Sequence, residues 1–207
     1  MKNQVFQLSA CAMAAALTLS LAACGGSDGD GDGGTAADTQ IAITTQPAAV
    51  TVVAGQEASF SVVATGGKLS YQWRKDGVAV AGLTASKFTL APAYSTHAGS
   101  YDVVVTNSLG SVTSTAALLT VGTVPAVTTQ PVALTVAAGS PATFSVVATG
   151  SATLSYQWRK ASTNIAGATA ASYTIPAVAA ADAASYDVVI TNSYGTATSS
   201  AATLTVN

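Results

Sequence analysis

From residue 40 onward the chain alternates apolar and polar positions with period two. Phe60, Val62 and Ala64 fall on one face of a run, Leu69, Tyr71 and Trp73 on one face of the next, and Tyr101, Val103 and Val105 on one face of a third. Alternation of this kind predicts half-buried β-strands. Gly, Pro and Asn interrupt the runs about every ten residues, the spacing of a β-sandwich. Asn107-Ser-Leu-Gly110 and Asn192-Ser-Tyr-Gly195 read as hairpin connections, each ending on a Gly able to take positive φ. No stretch after residue 40 has a helical apolar stripe. The expected class is all-β.

The pattern occurs twice. TTQPAAVTVVAGQEASFSVVATG (44–66) is answered by TTQPVALTVAAGSPATFSVVATG (128–150), and SYDVVVTNSLG (100–110) by SYDVVITNSYG (185–195). YQWRK stands at 71–75 and again at 156–160, and these two copies hold both Trp residues of the chain. The period is 84–85 residues. An internal repeat of this length predicts two small domains, 41–122 and 123–207, joined at Val121-Gly-Thr-Val-Pro125.

Each unit resembles a bacterial immunoglobulin-like domain of the I-set type. The resemblance rests on Phe60-Ser-Val62, Trp73 and Tyr101-Asp-Val103 with Asn107 and Gly110. In the second unit it rests on Phe144-Ser-Val146, Trp158 and Tyr186-Asp-Val188 with Asn192 and Gly195. It implies two tandem Greek-key sandwiches, with Trp73 and Trp158 inward on strand C and Tyr101 and Tyr186 as tyrosine corners on strand F. The family's half-cystine positions are Val here, Val62 with Val103 and Val146 with Val188. Packing beneath the Trp must replace the usual disulfide. At the E–F corner the family Asp is His97 in unit one and Asp182 in unit two, and the family Gly is Gly99 and Ala184. Arg74 and Asp102, and likewise Arg159 and Asp187, are expected to face outward on neighbouring strands as exposed ion pairs of small worth.

Composition narrows the function. Only 8% of residues are charged, against about 25% in ordinary globular domains. Net charge is −2 and no basic cluster exists, so nucleic acid is not an expected partner. The single His, His97, has Asp182 as its repeat counterpart, which assigns it to the corner rather than to catalysis. No metal-ligand spacing, nucleophile motif or phosphate loop is present, so an enzyme and a cofactor are not expected.

The first forty residues belong to another category. Residues 1–23 have the apolar, small-residue character of an export signal, and Leu21-Ala22-Ala23-Cys24 resembles the lipobox of bacterial lipoproteins. That resemblance implies cleavage before Cys24 and lipidation of its thiol. With Gly25 following, it further implies the outer membrane of a Gram-negative cell envelope. Residues 24–40 read as a Gly/Asp-rich tether. Asp28, Asp30 and Asp32 with Gly33 match the first half of a calcium loop. The twelfth position is Thr39 rather than Glu and no helix flanks the motif, so the segment reads as a soluble spacer.

The expected role is therefore non-catalytic: Ig-like domains on a membrane-anchored protein engaging a protein or glycan ligand. The alternatives are a structural spacer without a ligand and an accessory polysaccharide-binding subunit. The candidate contact residues are the apolar F–G tips, Leu109 and Tyr194. Tyr94, aligned with Val178, is expected to be half-buried.

Overall fold

The computed structural model describes residues 38–207. The expected export signal, Cys24, most of the expected tether and the Asp28, Asp30 and Asp32 motif fall within residues 1–37, outside the described residues. In the first domain the strands are β1 (Ala42–Thr45), β2 (Val50–Val53), β3 (Ala58–Ser61), β4 (Val63–Thr65) and β5 (Ser70–Lys75), followed by β6 (Val78–Ala79), β7 (Lys87–Leu90), β8 (Gly99–Asn107), β9 (Gly110–Thr113) and β10 (Ala117–Gly122). One layer runs β2-β10-β8-β5-β6, with β9 beside β8; the facing layer pairs β1 with β4 and β3 with β7. All pairings are antiparallel except β10 with β2, where Leu119 lies opposite Val50.

The second domain repeats this order. Its strands are β11 (Ala126–Thr129), β12 (Leu134–Val136), β13 (Ala142–Ser145), β14 (Val147–Thr149) and β15 (Ser155–Lys160), then β16 (Thr163–Asn164), β17 (Ser172–Ile175), β18 (Ala184–Asn192), β19 (Gly195–Thr198) and β20 (Ala202–Val206). Its sheets are β12-β20-β18-β15-β16 with β19 beside β18, β11-β14, and β13-β17. Two sheets each apolar on one face leave one stable arrangement, face to face. The fold is all-β, in two tandem sandwiches.

The inward positions form one core per domain. Trp73, Val103 and Val105 are wholly buried in the first, as are Trp158, Val188 and Ile190 in the second. Trp73 sits opposite Val103 in the β5–β8 register, and Trp158 opposite Val188 in β15–β18, so each indole lies beside a Val on the same inner face. Val62 and Val146 are buried on the facing layer. No Cys occurs within 41–207. Aromatic rings fill much of the space instead. Phe60 lies 5.1 Å from Tyr101 and 5.4 Å from Phe88, with the Trp73 ring 4.9 Å from Phe88. Phe144 lies 4.8 Å from Tyr186 in the second domain. Such offset and edge contacts add to area burial.

Each indole N–H is satisfied, by Ala85 O at 2.8 Å and Ala170 O at 2.9 Å. A buried Ser bridges the break between β9 and β10, and another that between β19 and β20. Ser114 Oγ accepts the Val103 N–H and donates to Thr115 O, and Ser199 does the same with Val188 and Ser200. Gln46 Oε1 accepts the Thr115 N–H, and Gln130 Oε1 the Ser200 N–H. These polar groups are therefore paired where the ladder is interrupted.

Candidate functional site

The outer residues of the repeated pentapeptide hold the fold rather than project from it. Gln72 Nε2 donates to Trp73 O and Val80 O, both at 2.8 Å, tying β5 to the turn after β6; Gln157 repeats this with Trp158 O and Ile165 O. Arg74 clamps both oxygens of Asp102, at 2.7 and 2.8 Å, and Arg159 clamps Asp187 at 2.6 and 2.9 Å. The fork-to-fork geometry and partial cover make these better pairs than the solvent-facing contacts the sequence suggests. Hydrogen bonding to the carboxylate raises both guanidinium pKa values.

The E–F corners use different side chains for one task. Tyr101 Oη donates to His97 O at 2.8 Å, and Tyr186 Oη to Asp182 O at 2.9 Å. His97 Nδ1 accepts the Tyr94 N–H; Asp182 Oδ2 accepts the Ala179 N–H. That backbone bond, with Lys160 second, lowers the Asp182 pKa. Burial raises both tyrosine hydroxyls. The corner also explains the Gly99/Ala184 difference. In the first domain Asp76 Oδ1 accepts the Ser100 N–H, and a Cβ at Gly99 would fall 2.8 Å from Asp76 Oδ2. The second domain has Ala161 in place of Asp76, which leaves room for Ala184.

One expectation at this corner fails. Tyr94 is 53% exposed. The buried residue matching Val178 is Ala93: both take part in the same backbone bonds, Gly55 N to Ala93 O and Gly139 N to Val178 O. The counterpart of Tyr94 is Ala179, because the repeat offset has become 85 by this point.

The two F–G tips share a frame. Asn107 Oδ1 accepts the Leu109 N–H, while its Nδ2 donates to Thr39 O and Gly67 O. Asn192 Oδ1 accepts the Tyr194 and Gly195 N–H groups, and its Nδ2 donates to Thr123 O and Ser151 O. On that frame the tips diverge. Leu109 is 64% exposed. Tyr194 is half-buried against Gly122, the last residue of β10, where an added methyl group would fall 2.1 Å from the ring's Cζ. Gly122 is itself held in the first sheet opposite Val53, its carbonyl accepting the Ala54 N–H at 2.7 Å. Tyr194 is thus committed within the chain, and Leu109 is free.

Beside Leu109 lies a recess of about 150 Å³, bordered by Gln40, Ile41, Asn107, Gly110 and Val112. Among the described residues no group of three or more His, Cys, Asp or Glu is placed to hold a metal, and no helix is long and apolar enough to cross a membrane.

These two sandwiches define an immunoglobulin-like protein. The immunoglobulin I-set domain family matches residues 41–121 and again 125–206, and the chain belongs to that family. Among curated proteins it is 39% identical over 90 residues to endoglucanase C of Cellulomonas fimi; that stretch is 42% of this chain and 8% of the enzyme. Among solved structures it is similar to an I-band fragment of titin, at TM-score 0.68 and 19% identity, covering 82% of this chain and 66% of that one. Sidekick-1 immunoglobulin domains 1–4 give TM-score 0.68 and 19% identity, over 81% of this chain and 48% of theirs. The N-terminal four Ig domains of Dscam1 give 0.64 and 22%, over 83% and 47%. At these identities the structures show the fold alone.

Proposed function

We propose that the chain is a non-catalytic, lipid-anchored protein of the bacterial cell envelope whose I-set pair binds a macromolecular partner, with the first domain's F–G tip as the contact. The observation that carries this reading is the unequal fate of two equivalent tips. Tyr194 is spent on Gly122, whereas Leu109 leaves a large apolar side chain in solvent beside a recess. Leu109 and the exposed Val112 border the same recess, and contiguous apolar surface of that kind, rather than a single exposed side chain, is what marks an interaction site. The anchor rests on Leu21-Ala22-Ala23-Cys24, and Gly25 favours the outer membrane. Membrane partitioning of the full chain tests it: Cys24→Ser is expected to release the protein into the soluble fraction, and retention after salt washing overturns the anchor.

Binding is tested by incubating the full chain with solubilised envelope proteins and with a glycan array. Saturable binding lost in Leu109→Asp and kept in Val78→Asp is expected, since Val78 is an equally exposed aliphatic far along the fold from the tip. Equal binding by Leu109→Asp overturns the assignment. Silence on both supports leaves the pair a spacer. A second reading, an accessory polysaccharide-binding module, draws on the similarity to a stretch of endoglucanase C and on the exposed Tyr94 ring, 5.8 Å from His97. Glycan binding lost in Tyr94→Ala would favour it.

A further inference from the structure

The chain enters each domain at the pole that carries its F–G tip. Asn192 Nδ2 donates to Thr123 O at 2.8 Å in the second domain, and Asn107 Nδ2 to Thr39 O at 2.8 Å in the first. Both entering segments also rest on the turn that follows β14 or β4. A Cβ added at Gly150 would fall 3.1 Å from Val124 O, and one added at Gly66 would fall 3.3 Å from Thr39 O. In the first domain Ser108 Oγ further donates to the Asp38 carboxylate.

The chain leaves the first domain at the opposite pole. β8 runs from Gly99 to Asn107, toward the tip, and β10 runs back beside it with Leu119 opposite Gly99. Strand of that length separates the two poles by about 30 Å. The second domain starts from the far pole, and its own tip closes on Gly122 there through Tyr194. Each tip therefore faces whatever precedes its domain. For Tyr194 that is the first domain. For Leu109 it is the chain upstream of Asp38, where Cys24 lies 14 residues away. A stretch of that length spans at most about 50 Å when fully extended. With Cys24 held in lipid, Leu109 stays within roughly that distance of the membrane, while the second domain continues from the other pole.

We propose that the first domain's tip works in cis: its partner is a protein of the same membrane that holds Cys24, presenting apolar side chains to Leu109 and Val112. The proposal rests on the lipid-anchor and partner-binding readings and fixes where the partner stands. A molecule on a facing surface would have to reach past the second domain to meet this pole. The lipid headgroups themselves are the poorer occupant, because Lys68, exposed on the turn after β4, is offset by the Asp38 carboxylate and leaves no net attraction for an anionic surface.

The test uses cells that carry the full chain with p-benzoylphenylalanine in place of Leu109, a large apolar photo-crosslinker. They are mixed with an excess of otherwise identical cells that lack the chain and are grown on heavy isotopes, and the mixture is irradiated. The expected adduct contains light partner peptides only and does not form from the same analogue at Asn207, the exposed residue after β20. Heavy partner peptides overturn the cis assignment and leave the partner-binding reading standing. An adduct formed equally from position 207 overturns the tip, and no adduct from position 109 overturns both readings. Orientation is read separately on the purified, lipidated chain in phosphatidylethanolamine–phosphatidylglycerol vesicles. A fluorophore on Leu109→Cys is expected to transfer energy to a headgroup acceptor more strongly than one on Asn207→Cys. Equal or reversed transfer overturns the anchor-facing pole whatever the crosslinks show.

Discussion

Replacing Val103 by Ala tests whether the cores stand on packing alone. Val103 is wholly buried and lies beside Trp73 on the inner face. Its backbone N–H to Ser114 Oγ survives the change, so the perturbation is confined to two methyl groups. Their transfer to water costs about 1.6 kcal/mol. The void left, roughly 50 Å³, adds about 1 kcal/mol if the neighbours do not collapse into it. The rings of Phe60, Phe88 and Tyr101 are packed among themselves, which limits such collapse. The expected loss is about 2–3 kcal/mol, against roughly 4–12 for a domain of about 80 residues. With a urea slope near 1 kcal/mol/M, the midpoint of the first domain should fall by about 2–3 M. Each domain has one Trp, Trp73 or Trp158, so fluorescence follows both cores. Val103→Ala should move one transition and leave the other, and Val188→Ala should move the other. A midpoint shift below about 0.5 M, or equal movement of both transitions, would refute the reasoning.

Three further outcomes are expected. The Asp182 carboxylate is held below its ordinary pKa by the Ala179 N–H and Lys160, so its contribution is present above about pH 4 and lost as pH falls through the depressed value; Asp182→Asn should flatten the acid limb of the second domain's urea midpoint, and an unchanged limb counts against the assignment. The Tyr101 and Tyr186 hydroxyls are raised by burial, so stability holds below about pH 10 and is lost above it as the unfolded chain ionises first; phenolate absorbance should show two tyrosines ionising above the ordinary value of about 10, and replacing either with Phe should remove one of them. Gly122→Ala drives a methyl group into the Tyr194 ring and should speed proteolysis across 122–124, while adding Tyr194→Ala should restore resistance; a single variant cleaved at the parent rate overturns that contact.

The strand order and inner faces were legible because a period-two alternation occurs twice in a short sequence, with Trp and Tyr at matching places. What escaped was polar and positional. Ser114 and Ser199 are buried because the last strand breaks, and a Ser in a Ser/Thr-rich stretch carries no mark that distinguishes it. The recurring TTQP was visible, but that its Gln reaches the broken strand depends on a contact nearly 70 residues away in sequence. Tyr94 was misplaced by a one-residue change of repeat offset, and one residue is enough to exchange a buried position for an exposed one. Tyr194 and Leu109 looked alike as apolar tips; only the structure shows that a side-chain-free residue, Gly122, makes room for one of them.

The two domains act as controls for each other. Where a position serves the core, the copies agree in type: Trp73 with Trp158, Val103 with Val188, Ser114 with Ser199. Where they differ, the change either comes with a compensating change or alters what is exposed. Asp76 with Gly99 against Ala161 with Ala184 is the first kind, since the carboxylate and a Cβ cannot share the corner. Leu109 against Tyr194 is the second kind: Tyr194 lies half-buried against Gly122, whereas Leu109 stays 64% exposed on an equivalent turn. The turn itself is held alike in both copies, by Asn107 and by Asn192, so the difference in exposure comes from the tip residue and what stands beside it rather than from the frame.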